Sequence, residues 1–141
     1  MKTLQSFLVS LFLIVCMTSQ TIQAQTLKDS SFQRQAEIRR DGKILDSNYQ
    51  TLGYVKADGR VVDQNYHTVG YVKPDGRIVD NSYHTVAYIK SNGTVQNSNY
   101  RTIGYIKADG TIKDANFHTV GYARDLTTTQ AGALILLGKL F

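Results

Sequence analysis

Three histidines at equivalent positions of a repeat are the first residues in this sequence that suggest chemistry. His67, His84 and His118 are separated by multiples of 17 residues, and three imidazoles form the zinc-ligand set of some enzymes. However, the same position of the other two copies holds Gln50 and Arg101. Equivalent residues of a ring of repeats also point outward from separate units, so we predict solvated strand residues and no metal site.

Aspartates recur at two further positions, and carboxylates spaced in a repeat can bind calcium. The two rows are Asp41, Asp58, Asp75 and Asp109, and Asp46, Asp63, Asp80 and Asp114. In the fourth copy Asn92 and Asn97 stand at these positions. Asp and Asn share the ability to form turns by bonding to their own backbone, so we predict turn residues and not metal ligands.

Two rows of aromatic residues also follow the period. They are Tyr49, Tyr66, Tyr83, Tyr100 and Phe117, and then Tyr54, Tyr71, Tyr88, Tyr105 and Tyr122. Such rings could stack on sugars across a symmetric surface. Alternatively, tyrosine fills a small β-ring while its hydroxyl reaches water. Phe117 shows that the hydroxyl is dispensable in the first row, which favours packing.

The candidate ligand-binding set combines the second aromatic row with the basic row that follows it. Its members are Tyr54, Tyr71, Tyr88, Tyr105, Tyr122, Lys56, Lys73, Lys90 and Lys107, and Arg124 continues the basic row. The hypothetical ligand is a glycan or another polymer of the cell envelope. The alternative for the basic row is a solvated row that protects sheet edges from pairing.

Catalytic motifs are missing from the sequence. We find no Ser/His/Asp arrangement, phosphate-binding loop or pair of catalytic carboxylates. An active site needs unlike groups that converge on one point, and regular repetition works against this. We therefore predict a protein that is not an enzyme and uses no cofactor.

The unit that carries these residues is 17 residues long and runs five times from Asp41 to Asp125 without insertion or deletion. The copies read DGKILDSNYQTLGYVKA, DGRVVDQNYHTVGYVKP, DGRIVDNSYHTVAYIKS, NGTVQNSNYRTIGYIKA and DGTIKDANFHTVGYARD. Each contains two short apolar runs, and an Asp-Gly or Asn-Gly pair marks a hairpin turn. We predict a mainly β domain over residues 36–125, with about ten short strands. Because an open sheet would leave long edges, the strands should close into a ring or small barrel, or stack as a solenoid.

The one proline of the chain indicates the type of the Asp-Gly turn. A type I turn followed by a glycine of positive φ places Pro74 where its fixed φ fits, with Gly76 at the bulge. This register predicts that Val72 pairs with Ile78.

The repeat also predicts which side chains form the core. Two rows are apolar in every copy and should face the core: Val55, Val72, Ile89, Ile106 and Ala123, and Ile44, Val61, Ile78, Val95 and Ile112. A third row turns polar in two copies and should face water: Leu45, Val62, Val79, Gln96 and Lys113. A fourth is apolar but falls on the wetter face: Leu52, Val69, Val86, Ile103 and Val120. Either a bulge or a ring lying against the small residue that follows would explain the fourth row.

The first 24 residues have the pattern of a secretory signal peptide. Lys2 precedes an apolar run over residues 7–17, followed by a polar stretch and a small residue, Ala24. We therefore predict a secreted or periplasmic protein without a cysteine, because the single Cys16 lies in this segment. Lipid attachment at Cys16 is the alternative, and Val15 before it argues against this because that position is normally small.

The two segments that flank the repeats differ from them. Residues 25–35 are polar, and we interpret them as a leader of uncertain order. Residues 126–141 predict a short helix over residues 131–141, with threonines suited to its N-cap and Lys139 in its last turn. Because this helix is apolar on all sides, it should pack on or in the domain, the alternative being a membrane-surface anchor.

The chain without Lys2 carries 15 basic and 11 acidic residues. This excess is modest and interleaved along the sequence, so it predicts solubility and attraction to anionic polymers, and no nucleic-acid partner.

A signal peptide followed by five units of the type DGxIxDxNYxTVGYIK resembles the small exported bacterial proteins of the five-fold β-flower family. The resemblance covers residues 36–125. It implies five hairpins arranged like petals about an axis, and it implies no activity. Our functional hypothesis is a non-enzymatic module that presents a rigid surface to a partner, with glycan binding as the alternative.

Overall fold

A computed structural model describes residues 24–141 of the chain. The predicted signal peptide, except for Ala24, and the lipid-attachment alternative at Cys16 therefore lie outside the described residues.

The described residues form twelve short strands and one helix. The strands are β1 (Gln25–Asp29), β2 (Arg34–Ile38), β3 (Lys43–Asp46), β4 (Thr51–Val55), β5 (Arg60–Asp63), β6 (Thr68–Val72), β7 (Arg77–Asp80), β8 (Thr85–Ile89), β9 (Thr94–Asn97), β10 (Thr102–Ile106), β11 (Thr111–Asp114) and β12 (Thr119–Tyr122). The helix is α1 (Thr128–Leu136).

The strands close into a single antiparallel barrel. Each strand pairs with its neighbours in the sequence, and β1 pairs with β12 to complete the ring. The prediction of a mainly β, ring-like sheet with a C-terminal helix is confirmed, and the ring closes within one chain.

The barrel contains six hairpins, so the interpretation of residues 25–35 as a leader was wrong. They form β1, a turn and the start of β2. In register with the repeat, Asp29 and Phe32 occupy the places of Asp46 and Tyr49. The sequence hid this sixth unit because its second half carries Glu37 where the other units have tyrosine.

The Asp-Gly turns have the predicted geometry. In the turn that contains Pro74, the N–H of Gly76 donates to the carbonyl of Lys73 at 3.0 Å, and Gly76 has φ of 90°. A residue with a Cβ is strained at this φ, which explains the glycine. The pairing of Val72 with Ile78, and of Tyr71 with Val79, is confirmed.

The apolar row that alternation could not place lies at β-bulges. Ile44 pairs with Gly53 and Leu45 pairs with Thr51, which leaves Leu52 as the extra residue. The same shift recurs between β5 and β6 and between β7 and β8. A bulge moves the following residues to the other face of the sheet, so the first of our two explanations accounts for this row.

The two rows predicted to face the core do so. Ile44, Ile78 and Ile112 have no accessible surface, and Leu27 of β1 belongs to the same cluster. Full burial of an aliphatic side chain contributes about 1.5–3 kcal/mol. One such residue from each hairpin therefore stabilises the ring from within.

The prediction of a wet outer row was wrong for three of its members. Leu45, Val62 and Val79 are buried, although they lie outside the core cluster. Val62 pairs directly with Tyr54 and Val79 with Tyr71, and directly paired side chains contact each other on one face of a sheet. Tyrosine rings on the outer wall thus cover aliphatic side chains, which strict alternation of inward and outward residues would expose to water.

The helix lies inside the barrel. A Cβ on Gly132 would lie 2.9 Å from Cγ1 of Val72, and one on Gly70 would lie 3.1 Å from Cδ1 of Leu136. Val72 and Gly70 are successive inward positions of β6, so the helix descends along this strand, and Leu134 has no accessible surface. Burial of an apolar helix is the outcome that its composition predicted.

The helix ends differ slightly from the prediction. Thr127 is the N-cap and forms a capping box with Gln130, whose backbone N–H lies 3.1 Å from the threonine hydroxyl. The helix therefore begins at Thr128, three residues earlier than expected. Lys139 lies beyond its end, where its N–H donates to the carbonyl of Leu134 at 2.7 Å as in a Schellman motif. Over residues 24–141, no helix combines the length and apolar character needed to cross a membrane.

Candidate functional site

The barrel has two chemically different ends because its strands run alternately up and down. The turns that follow odd-numbered strands all lie at one end, which we call the tyrosine rim. Its central residues are Phe32, Tyr49, Tyr66, Tyr83, Tyr100 and Phe117. The Asp-Gly and Asn-Gly turns lie at the opposite end, which we call the glycine rim; their glycines are Gly42, Gly59, Gly76, Gly93 and Gly110.

Each turn of the tyrosine rim is organised by its first residue. The carboxylate of Asp63 accepts the backbone N–H of Asn65 at 2.8 Å and of His67 at 3.0 Å. Its carbonyl also accepts the N–H of Tyr66 at 3.0 Å. The same contacts recur in the other units, so the predicted turn role of this aspartate row is confirmed.

This turn holds the aromatic residue in a left-handed backbone conformation. All six central residues have φ between 62° and 66°. For a residue that carries a Cβ this conformation costs roughly 1–2 kcal/mol, and bulky residues adopt it rarely. Glycine or asparagine would fit these turns with less strain, yet the six turns all carry Tyr or Phe.

The left-handed conformation places five of the six turn rings on a tyrosine of the neighbouring hairpin. Tyr66 stacks on Tyr54 with ring centroids 5.0 Å apart and planes at 11°. Equivalent stacks join Tyr71 and Tyr83, Tyr88 and Tyr100, and Tyr105 and Phe117. A fifth stack, between Phe32 and Tyr122 at 4.5 Å, crosses the seam where β1 meets β12.

The sixth position of the ring replaces the strand tyrosine with an ion pair. Glu37 stands at this place, and Arg34 lies 3.2 Å from its carboxylate. The Arg34 guanidinium also lies 3.8 Å from the centroid of the Tyr49 ring and donates to the carbonyl of Asp46 at 2.7 Å. A cation–π contact therefore supports Tyr49 where the other turn rings have an aromatic partner.

The two aromatic rows differ in exposure. The turn rings are 57–67% exposed, whereas Tyr54 and its equivalents are half-buried because one face of each is covered. The structure therefore places the candidate tyrosine row under the turn row, and the turn row provides the open ring faces. Sequence reasoning assigned the turn row to packing because nothing in the pattern SNY shows that tyrosine occupies a left-handed position.

The basic row follows the glycine rim, and the side chains of two of its members reach back to the tyrosine stacks. The ammonium of Lys73 lies 5.6 Å from the Tyr71 centroid and 5.7 Å from the Tyr83 centroid, and that of Lys56 lies 5.9 Å from Tyr54. Lys90 and Lys107 are exposed in turns of the glycine rim. The candidate set is therefore not one compact site.

The histidines and aspartates of the tyrosine rim pair within their own turns. Nδ1 of His67, His84 and His118 lies 3.4–3.6 Å from the carboxylate of the aspartate four residues earlier. The three histidine side chains are 77–80% exposed. Within residues 24–141 no three metal-ligating side chains lie close enough to hold an ion.

Hydrogen bonds lower the pKa of aspartates and raise the pKa of tyrosines at this rim. The backbone N–H groups of His67, His84 and His118 lower the pKa of Asp63, Asp80 and Asp114 respectively. The hydroxyl oxygens of Tyr66 and Tyr54 lie 3.3 Å apart and share a hydrogen bond, which raises the pKa of Tyr54. The hydroxyl of Tyr88 likewise bonds to that of Tyr100 at 3.2 Å and raises its pKa. The phenols of Tyr54 and Tyr100 are therefore neutral at physiological pH.

We expect the lowered carboxyl pKa values to make the barrel less stable in acid. Carboxylates with a folded pKa below the unfolded value of about 3.9 stabilise the fold above that pH. This stabilisation is lost as the pH falls through the folded pKa. Thermal unfolding should therefore show a decline in Tm below about pH 4 that is shallower in the Asp63→Asn, Asp80→Asn, Asp114→Asn triple variant. Asn97 shows that asparagine fits this turn, and an unchanged acid slope would contradict the assignment.

We also expect the turn tyrosine to tolerate asparagine better than alanine. Tyr83→Ala removes the stack on Tyr71 and keeps a strained Cβ, so it should lower the free energy of unfolding by about 1–2 kcal/mol. Tyr83→Asn loses the same stack but relieves strain, because asparagine enters the left-handed region readily. Denaturant unfolding should rank the two variants in this order. Equal losses would show that backbone strain at this position is negligible.

Comparison with known proteins agrees with this architecture. The fold and rims define a hairpin-repeat barrel that encloses its own C-terminal helix. The family model described as 5-fold beta-flower protein matches residues 17–137, and the chain belongs to this family. The matched residues include β1, which forms the sixth hairpin together with β2. No curated protein and no solved structure matches the chain.

Proposed function

We propose that this protein is an exported, non-enzymatic binding module whose tyrosine rim takes an extended carbohydrate polymer. The observation that carries the proposal is the exposure of six strained aromatic residues at one end of the barrel. Strain that persists in every unit is a sign of function when stability does not require it.

Stability alone gives little reason for this arrangement. A buried aromatic side chain removes about 150–250 Å² of surface from water, whereas these rings keep more than half of theirs exposed. An offset aromatic stack contributes about 0.5–1.5 kcal/mol, which is comparable to the strain of one left-handed residue. The stack therefore fixes the orientation of the ring and adds little net stability.

The chemistry of the exposed faces favours carbohydrate. The turn rings are flat and open on one side, which suits the apolar face of a pyranose. Hydrogen-bonding groups such as Asn65, His67 and Asn99 flank them in the exposed turns, as a polar ligand requires. Because two strands separate equivalent residues, neighbouring platforms lie roughly 10 Å apart along the wall. A polymer of repeating sugars can contact several platforms at once.

The absence of enzymatic activity and the export of the protein are parts of this proposal. Each rim offers equivalent groups to its surroundings, and His67, His84 and His118 each pair with an aspartate of the same turn. Catalysis needs unlike groups at one point. Export is supported by Lys2 and the apolar run of residues 7–17.

Binding to insoluble glycans, including peptidoglycan sacculi, chitin and cellulose, tests the proposal. We expect the chain to cosediment with at least one of them. The Tyr66→Asn, Tyr83→Asn double variant should lose binding by at least tenfold, because it removes two adjacent platforms without adding strain. Tyr66→Phe with Tyr83→Phe is the control; it keeps both rings and should bind within about twofold of the original chain.

Two outcomes would overturn the proposal. One is that no glycan binds. The other is that a bound glycan is retained equally by the asparagine variant, which would place the site elsewhere. Circular dichroism of each variant would verify that the barrel is folded before binding is compared.

A further inference from the structure

The fold separates charges that are interleaved along the sequence. The glycine rim collects ten basic residues, namely Arg39, Arg40, Lys43, Lys56, Arg60, Lys73, Arg77, Lys90, Lys107 and Arg124. Six acidic residues lie at the same end, namely Glu37, Asp41, Asp58, Asp75, Asp109 and Asp125, and Glu37 lies 3.3 Å from Arg39. The tyrosine-rim end carries the cations Lys28, Arg34, Arg101 and Lys113, against Asp29, Asp46, Asp63, Asp80 and Asp114.

The barrel is therefore asymmetric in charge, with a cationic glycine rim and a nearly neutral tyrosine rim. Every hairpin contributes a cation within two residues of the end of its second strand, from Arg39 through Arg124, so the positive charge encircles the whole end of the barrel. Apart from the half-buried Lys43 and Lys73, these side chains are exposed. A ring of cations around one end forms a broad face and not a groove.

The N-terminal part of the chain enters the barrel at this same face. Gln25 donates from its side-chain nitrogen to the carbonyl of Asp125 at 2.6 Å, beside the last cation of the ring. Ala24 lines one hollow with Arg39 and Arg40, and another with Asp109 and Arg124. Ala24, where the predicted signal peptide ends, therefore lies at the cationic end.

We propose that the glycine rim docks on the surface of a membrane that contains anionic phospholipids. Cations near such a surface are attracted to its negative potential. The face is broad and encircles the barrel, so a lipid surface fits it better than a single polyanionic strand. In this orientation the tyrosine rim points away from the membrane. The proposal does not depend on the ligand of the tyrosine rim.

Vesicle cosedimentation tests the docking face. The probes are vesicles of phosphatidylcholine alone and of phosphatidylcholine mixed with phosphatidylglycerol, with the chain as recovered from the exporting host. We expect binding only to the anionic vesicles, and weakening by salt because surface potentials are screened. Lys90→Gln with Lys107→Gln should lower the affinity about 25-fold, or about fivefold per cation.

A matched variant controls for the loss of net charge. Arg101→Gln with Lys113→Gln removes the same two charges away from the glycine rim, and should bind anionic vesicles within about threefold of the original chain. Equal losses in the two variants would show that net charge and not this face is responsible. Binding to phosphatidylcholine alone with the same affinity would also overturn the proposal. So would binding to soluble polyphosphate without binding to vesicles, because the face would then serve a polymer.

A pair of labelled variants reports the orientation. In a Cys16→Ser background, Ser91→Cys places a dye in the glycine-rim turn before β9, and Ser98→Cys places one in the tyrosine-rim turn after β9. An environment-sensitive dye at position 91 should shift its emission to the blue on anionic vesicles, whereas the dye at position 98 should not. The reverse pattern, or equal shifts at both positions, would overturn the proposed orientation.

Discussion

Leu134→Ala should lower the free energy of unfolding by about 2–5 kcal/mol, the range for a leucine removed from a rigid core. Leu134 has no accessible surface and lies in the helix enclosed by the barrel. Strands surround it, and the barrel wall is tied by backbone hydrogen bonds, so the wall has little freedom to collapse into the space left behind. Denaturant unfolding of the variant would measure the loss.

A second position of the helix serves as the control for this prediction. Ile135 follows Leu134 but is only partly buried, so Ile135→Ala should cost less than Leu134→Ala. Removal of residues 126–141 should leave a barrel without its central core and prevent cooperative unfolding. If the truncated chain unfolds cooperatively with stability near that of the full chain, the helix is an accessory and not part of the core.

Leu27→Asp should prevent the barrel from folding or cost more than about 4 kcal/mol, because it buries an unpaired carboxylate in an apolar core. Leu27 belongs to β1, which closes the ring against β12 and lies in the core cluster. This prediction distinguishes a barrel of six hairpins from a barrel of five. In a five-hairpin domain residues 25–35 would lie outside the ring, and a charge at Leu27 would be harmless.

Lys28 provides a matched control for the seam between β1 and β12. It is the next residue of the same strand, pairs with Tyr122 and is exposed. Lys28→Asp introduces the same side chain on the outer wall and should change the free energy of unfolding by less than about 1 kcal/mol. Thermal melts of Leu27→Asp and Lys28→Asp that coincide would contradict closure of the barrel by β1.

The sequence contained most of the fold because the repeat is regular. Apolar rows, Asp-Gly turns and one proline were sufficient to predict the pairing of Val72 with Ile78 and the inward rows. The sixth unit was hidden because recognition of a repeat depends on its most visible residues, and Glu37 and Gln35 replace tyrosine and leucine there. In the structure, Arg34 and Glu37 form an ion pair at the place of the missing ring. A comparison of the repeats by residue identity cannot reveal that an ion pair replaces a tyrosine.

The candidate site was predicted less well than the fold. The sequence identified both tyrosine rows but selected Tyr54 and its equivalents, whereas the structure exposes Tyr66 and its equivalents. Exposure depends here on a backbone conformation that tyrosine rarely adopts, so residue preferences gave no signal of it. The separation of charges was hidden for a related reason: turns that alternate along the chain belong to opposite ends of the barrel.

The most direct test of binding at the tyrosine rim is NMR titration of the chain with oligosaccharides of increasing length, taken from whichever glycan binds. The aromatic ring signals of Tyr66, Tyr83 and Tyr100 should shift together. Affinity should rise steeply once the oligosaccharide is long enough to contact two platforms, roughly 10 Å apart, because the second contact is intramolecular. Shifts confined to residues away from the tyrosine rim, or an affinity independent of ligand length, would contradict the account.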